Sequence, residues 1–271
     1  MGIQSYSELQ RIVRAQLEAD HCLRSGSIEV AQDHGGAFLT APRLDLDQMS
    51  VHRRRFSDHF ELRLSNFQGL TLLCAQHPRV LDEVSALLGG DAGNWVGDYS
   101  KLRRVNDFLT PYALQNSGTA LFFTPKRETV ENPPNISLTD GYSLSKLGIG
   151  ELVEYKEAGN FSNALGFSEV RPDVLVLAAK HGDDVVAMAG ASEDSDIMWQ
   201  IGIDVLPQHR SKGVGTALVA QLTQDILAKG KVPFYGTSPS HIQSQSLAQR
   251  AGYEPAWFEF VSSSLLEASI S

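Results

Sequence analysis

Cysteine is nearly absent: Cys22 and Cys74 are the only two in 271 residues. They are too few and too far apart to make a disulfide framework, which points away from a small secreted scaffold. No apolar run approaches the ~18 residues of a membrane-spanning helix. Basic residues are outnumbered, 23 to 32, for a formal net charge of −9. Such a field repels polyanions, so nucleic acid is not expected as the main partner. An uncharged leader is missing too, because Glu8, Arg11, Arg14, Glu18 and Asp20 interrupt the first twenty residues, and no signal peptide is expected. Met1-Gly2 opens like a myristoylation site, but Tyr6 stands where that motif needs Ser or Thr. The expectations are a cytoplasmic protein without a membrane partner. Metal-ligand spacing is also lacking: His21-Cys22, His52 and His59 form no zinc pattern. Arg53-Arg54-Arg55 reads as a solvated basic edge.

What is present is ordinary globular composition, 42% apolar and 20% charged. At this length one large or two modest domains are expected, with core enough to need no staple. The boundary falls in 124–137, where Thr124-Pro125 and Asn132-Pro133-Pro134-Asn135 bracket a charged stretch. The expected domains are 1–130, an N-terminal α/β domain, and 138–271. In the first, Ser7 and Gln10 have capping-box spacing for a helix to about residue 22. Pro78 opens a second helix with Val80, Leu81, Val84, Leu87 and Leu88 at 3–4 spacing and Gly89 as its stop. Strands are expected at 60–64 (Phe60, Leu62 and Leu64 alternating), 70–74 and 119–123. This half carries no chemical motif.

After the boundary, a strand near 142–147 leads into a helical stretch around 150–157. Val174–Ala179 and Asp184–Ala191 are strands joined by the hairpin signal His181-Gly182-Asp183. Glu193–Asp196 reads as a plain turn into a third strand, Ile197–Leu206, completing an antiparallel meander. Pro207 ends that strand. A helix over about 212–229 follows, with an apolar stripe of Val214, Ala217, Leu218, Leu222 and Ile226 and Gly230 as its stop. A strand (Val232–Thr237), a short helix (Ser240–Ala251, capped at Ser240) and a last strand (Trp257–Val261) complete the chain.

The segment with chemical content is Val205-Leu206-Pro207-Gln208-His209-Arg210-Ser211-Lys212-Gly213-Val214-Gly215-Thr216. A strand end, a glycine-containing turn and a helix start bring free N–H groups and a positive helix dipole together, which suits a phosphate. Gly213 and Gly215 leave room for a pyrophosphate against the backbone, and Arg210 and Lys212 add charge at the rim. The P-loop pattern is absent. The dinucleotide fingerprint fails because Leu218 occupies its third glycine position and Tyr235-Gly236-Thr237 supplies no acidic residue. Gly236-Thr237-Ser238-Pro239-Ser240 lacks the closing glycine of a nucleophile elbow.

The arrangement R-x-x-G-x-G, two residues after V-x-P, resembles the acetyl-coenzyme A signature of the GNAT (GCN5-related) N-acetyltransferases. The order of elements over 138–265 and the ending Ser244-x-x-Leu247-Ala248-x-Arg250-x-Gly252-Tyr253 are also similar to that family. The wording Ile201–Pro207, Pro233–Thr237 and Pro255-Ala256-Trp257 resembles a two-domain bacterial branch of it. The resemblance implies an α/β (α+β) fold, with a mixed, largely antiparallel sheet flanked by helices. It implies acetyl transfer from acetyl-CoA, as co-substrate, to the amine of a small molecule, an antibiotic or metabolite among the candidates. By position it implies Val205 and Leu206 as backbone partners of the pantetheine arm. It implies Arg210, Ser211, Lys212, Gly213, Val214, Gly215 and Thr216 around the pyrophosphate, with His241 and Ser244 also at the cofactor.

The chain departs from the family where protons move. Trp199 and Gln200 stand where many members have a general-base Glu, Ala248 replaces a frequent general-acid Tyr, and His241 replaces a frequent Asn. Asp204 is the nearest carboxylate on the same strand and shares a face with Gln200, so it is the expected catalytic base. A non-catalytic acyl-CoA-binding or regulatory protein is the alternative. Residues 1–130 are expected on the acceptor side.

Overall fold

The structure, a computed structural model, describes residues 2–44, 52–54, 61–89, 93–138 and 140–264. Arg55, His59 and Phe60 lie outside the described residues. The chain divides into two compact units. One gathers the residues up to Ile12, Arg54 and Phe123–Pro255; the other gathers Val13–Arg53, the described residues from 61 to Phe122, and the chain from Ala256. This differs from consecutive blocks 1–130 and 138–271, and both ends of the chain account for it. Ile3 N–H donates to the Leu227 carbonyl at 2.9 Å and the Tyr6 hydroxyl to Glu254 at 2.6 Å. At the other end, Trp257–Ser262 pairs with Leu62–Phe67.

Helix α1 (Tyr6–Asp20) starts two residues earlier than the Ser7/Gln10 spacing suggested. Ser5 Oγ accepts the Glu8 N–H at 3.2 Å, so Ser5-x-x-Glu8 supplies the cap. The second unit adds α2 (Ser27–Asp33), β1 (Phe38–Pro42), β2 (Leu62–Phe67), β3 (Leu70–Ala75), α3 (Pro78–Leu88), α4 (Tyr99–Leu109) and most of β4 (Leu114–Pro125). The charged boundary stretch contains a short helix, α5 (Arg127–Glu131). With the last strand, β10 (Tyr253–Ser264), the sheet order is β1-β3-β2-β10-β4. β2 runs antiparallel to β3 and β10, while β1 runs parallel to β3. Val80, Val84 and Leu88 form the buried face of α3, in one core with Leu64, Leu73, Val105 and Phe260. That is the 3–4 periodicity of its sequence turned into packing.

Beneath this sheet lies a buried ionic cluster that composition did not reveal. Arg53, read as part of a solvated edge, is only 4% exposed. Its Nε meets Asp20 Oδ2, its backbone N–H donates to Asp20 Oδ1 at 2.7 Å, and its Nη2 donates to Glu259 at 2.6 Å. Arg63, fully buried, completes a charge-neutral set of four, 3.8 Å from Asp20 and 4.0 Å from Glu259. The stacked rings of Phe122 and Trp257 lie about the Arg53 guanidinium at 5.1 and 5.0 Å. Burial would raise the Asp20 carboxyl, but Arg53 and Arg63 overcome it and hold it low.

Beside them His21 is fully buried and donates from Nδ1 to the Leu17 carbonyl at 2.8 Å. Its Nε2 has no hydrogen-bond partner among the described residues. Burial, then the Arg63 charge, push its pKa from 6.5 down to about 4. In the unfolded chain the same imidazole takes its proton near 6.5, so the unfolded state binds more protons as pH falls. Stability is therefore complete above pH 6.5 and drains away between 6.5 and 4, by roughly 3 kcal/mol for a depression of this size. Thermal unfolding at pH 7 and at pH 4.5 checks this: His21→Gln should lose less stability on acidification than the parent.

The strands of the first unit run in the order β9-β8-β7-β6-β5. They are β5 (Ser143–Leu147), β6 (Asp173–His181), β7 (Asp184–Ser192), β8 (Met198–Val205) and β9 (Val232–Thr237). β5 to β8 are antiparallel neighbours and β9 joins β8 in parallel. The β6–β7 hairpin closes between His181 and Asp184, with Gly182 at φ +64°. The helices are α6 (Val153–Ala158), α7 (Val214–Ala228) and α8 (Ile242–Arg250). α7 lies against β6, β7, β8 and β9, burying Val214, Leu218, Leu222 and Ile226 of its stripe. These strands and helices make the mixed, largely antiparallel sheet flanked by helices that the sequence suggests. The residue capping α8 is His241, one past the expected Ser240, and no side chain bonds that helix end. Among the described residues, no helix is long and apolar enough to cross a membrane, and no group of His, Cys, Asp and Glu could hold a metal ion.

Candidate functional site

The site lies in the first unit, where two parallel strands separate. β8 and β9 pair at Met198, Trp199 and Gln200, opposite Val232, Pro233 and Phe234. Both strands then continue, β8 to Val205 and β9 to Thr237. Beyond Gln200, the β8 edge that faces β9 therefore lacks a strand partner, although its other edge stays paired with β7 up to Val205. A parallel strand edge left open in this way offers backbone donors and acceptors to a ligand.

A cavity of about 380 Å³ fills the mouth of this fork. Gln200–Ile203 of β8, Tyr235–Thr237 of β9 and His241 and Ser244 at the start of α8 form its walls. Trp199 and Gln200 therefore part ways: Trp199 is buried, and Gln200 lines the cavity. Ala248 is fully buried and offers nothing to the cavity. Among the described residues, the side chains of Ser162, Gln200, Thr237 and His241, all in the cavity wall, find no hydrogen-bond partner and face a bound molecule instead. The Tyr235 hydroxyl bonds Ser244 Oγ at 2.8 Å, and burial raises its pKa above the usual phenol value.

At the open end of the fork, β8 runs through Pro207–His209 into the turn before α7. Ser211 and Gly213 both have left-handed backbone, φ +61° and +79°. That geometry turns the chain so that the α7 amides point outward. The first bond at the helix start is Ala217 N–H to the Gly213 carbonyl, 3.0 Å. The N–H groups of Val214, Gly215 and Thr216 precede it and have no acceptor among the described residues. Arg210, Ser211 and Lys212 are exposed around them. This donor set, three convergent amides with two cations, fits a diphosphate.

The geometry alters three of the sequence assignments here. Gly215 is closely packed: a Cβ there would stand 3.0 Å from the Val205 side chain and 3.1 Å from that of Leu247, which would have to shift by a few tenths of an ångström. Leu206 has both backbone groups committed, its N–H to Val186 at 2.9 Å and its carbonyl to His209 at 2.9 Å. Arg210 Nε donates to the Val205 carbonyl at 3.0 Å, which fixes the guanidinium at the rim and takes up one of the two backbone groups expected for the pantetheine arm.

The cavity's remaining wall escaped the sequence reading. The segment Phe161–Phe167 crosses the sheet directly over Gly190 of β7 and Gly202 of β8, which face each other in register. A Cβ on Gly190 would collide with the Ala164 carbonyl oxygen, and one on Gly202 with that of Asn163. Two carboxylates hold the segment from below. Asp204 accepts the N–H groups of Asn163 (2.7 Å) and Ala164 (3.0 Å) and the Asn163 side-chain amide (2.6 Å). Asp173 accepts those of Gly166 (3.1 Å) and Phe167 (2.9 Å). Asp194, read as a turn residue, is buried and pairs with Arg171 at 3.0 Å while accepting Ser192 Oγ at 2.6 Å. Two glycines at facing positions of a hairpin pair were the available signal, and only a known register makes it visible.

These bonds occupy both oxygens of Asp204, so the side chain expected to be a base acts here as an anchor. Asp204→Asn would remove the charge that three N–H donors share and turn an amide NH2 toward at least one of them. It should lower stability by about 1–3 kcal/mol and expose the 161–167 segment to proteolysis. Thermal unfolding with limited proteolysis reads both effects.

Residues 146–253 match the acetyltransferase (GNAT) family. No curated protein matches the chain. Among solved structures, a Drosophila melanogaster protein is 15% identical with a TM-score of 0.48, over 97% of this chain and 91% of that one. A GNAT-family acetyltransferase from Colwellia psychrerythraea is 14% identical with a TM-score of 0.43, over 96% and 98%. A GCN5-related N-acetyltransferase-like protein from Streptococcus suis is 15% identical with a TM-score of 0.44, over 75% and 84%. The fork, the open helix start and the match to the acetyltransferase (GNAT) family thus fall on the same stretch of the chain, residues 146–253.

Proposed function

We propose that this protein transfers the acetyl group of acetyl-CoA to the amine of a small polar molecule held in the β8–β9 cavity. The observation that carries the reading is continuity: one strand, β8, lines the cavity with Gln200–Ile203 and ends at the amides of Val214–Thr216. An extended thioester can bind its diphosphate at those amides and lay its arm along the open edge of β8. Its acyl carbon would then lie at the fork point. The acceptor amine attacks that carbon, and the CoA thiolate leaves. Holding the two reactants in line supplies much of the rate, and polar hydrogens in the fork steady the oxyanion.

The amine must lose a proton. Asp204 and Asp173 are both tied to backbone amides, so in this reading the acceptor arrives neutral or gives its proton to water. The same observation supports a second reading, an acyl-CoA-binding protein without turnover. Titration calorimetry with CoA, followed by thiol release from acetyl-CoA across a panel of amines, tests both. Binding with turnover supports transfer, binding without turnover supports the second reading, and no binding removes both. Arg210→Ala should weaken CoA by about 1.5–3 kcal/mol if its guanidinium meets a phosphate, and the loss should shrink with added salt.

A further inference from the structure

The two cysteines, used nowhere in the acyltransferase reading, meet in the second unit. Helix α1 ends in a Schellman turn: Cys22 N–H donates to Ala19 at 3.1 Å and Leu23 N–H to Glu18 at 2.8 Å. Cys22 takes the left-handed position of that turn, φ +56°, where glycine is the usual occupant. A side chain kept at a position that favours none calls for a reason, and its contacts provide one. Arg43 N–H donates to the Ala75 carbonyl at 2.8 Å, which sets Leu44, the partner of Cys22, beside the end of the strand that carries Cys74, and each thiol shifts the other's pKa. Cys74, on β3, is fully buried and reaches the Asp20 carbonyl at 3.8 Å. Cys22 is partly exposed, and its sulfur accepts the Leu44 N–H at 3.4 Å.

We propose that Cys22 and Cys74 are a peroxide-reactive pair, Cys22 taking the oxidation and Cys74 resolving it to a disulfide. The pairing of one accessible thiol with one buried thiol sets the order of events. The Cys22 thiolate attacks a hydrogen peroxide oxygen; an S–O bond forms, the O–O bond breaks, and the departing hydroxide takes up a proton as water. The Cys74 sulfur then attacks the Cys22 sulfenic acid. The S–S bond forms, the S–O bond breaks, and the hydroxyl leaves with the Cys74 proton as a second water. Two thiols lose two electrons and two protons, and one peroxide is reduced. The surroundings favour the first step. The Cys74 thiol, then the Leu44 amide and the charges of Arg63 and Arg43, outweigh burial and hold the Cys22 thiol down at about 6. The Cys22 thiol and burial push Cys74 up, which suits a thiol that waits for its partner.

The test uses the full reduced chain and one equivalent of hydrogen peroxide, with alkylation under denaturing conditions and peptide mass mapping. Labelled thiols are expected to fall from two to none, with a Cys22–Cys74 bridged peptide that dithiothreitol reverses. In Cys74→Ser the reaction should stop at a Cys22 sulfenic acid captured by dimedone. Cys22→Gly suits the left-handed backbone and keeps the fold measurable. In it, Cys74 should stay fully alkylatable after peroxide. Two labelled thiols in the treated parent, or oxidation of Cys74 in Cys22→Gly, would overturn the proposal.

Discussion

Gly202→Val should be the most damaging single change in the first unit. The new side chain would enter the space of the Asn163 carbonyl, and a backbone atom cannot step aside as a flexible side chain can. Either the 161–167 segment lifts off β8, losing its bonds to Asp204, or β8 shifts against β7. Overpacking of this kind costs up to about 3 kcal/mol and more when backbone must move. Thermal unfolding should show a fall of roughly 6 °C or more, and acceptor turnover should be lost with the cavity wall. Gly150→Ala is the control, since a Cβ there meets nothing within 4 Å. Equal stability of the two variants would mean that the segment does not rest on the sheet.

The second large effect belongs to the other unit. Arg53→Met removes one cation from the buried set and leaves Asp20 and Glu259 sharing Arg63. Removing one partner from a buried ion pair typically costs about 3–5 kcal/mol, because a charge is left uncompensated. Adding Glu259→Leu restores the balance of signs, so the double variant should recover a measurable part of that loss. Chemical denaturation of the three proteins decides it. A double variant no more stable than Arg53→Met would show that the cluster is held by shape rather than by charge.

These two regions mark the limit of what the sequence reveals. The meander, its hairpin at Gly182, helix α7 and the turn before it were legible because local rules govern them: short apolar strands, a glycine with positive φ, a stripe at helical spacing. The open amides of Val214–Thr216 follow from the helix start alone. The cluster was hidden because Asp20, Arg53, Arg63 and Glu259 are scattered along the chain and share no spacing. Arg53 inside a triple-arginine run even argued for the surface. The glycines under the 161–167 segment looked like ordinary strand residues until the β7–β8 register placed Gly190 opposite Gly202. Asp204 was found by its place on β8, but its role was set by a segment about forty residues earlier, which periodicity cannot see. The cap of α1 was missed by two residues because Ser5 and Ser7 both precede plausible third-position partners.

The central claim is that the N-terminus of α7, at the open end of the β8–β9 fork, receives the diphosphate of CoA. Amide hydrogen exchange over residues 210–217, with and without saturating CoA, addresses it most directly. The account predicts that exchange at Val214, Gly215 and Thr216 slows on binding, since each N–H gains an acceptor it lacks in the free protein. CoA that binds while those three amides exchange at unchanged rates would contradict it.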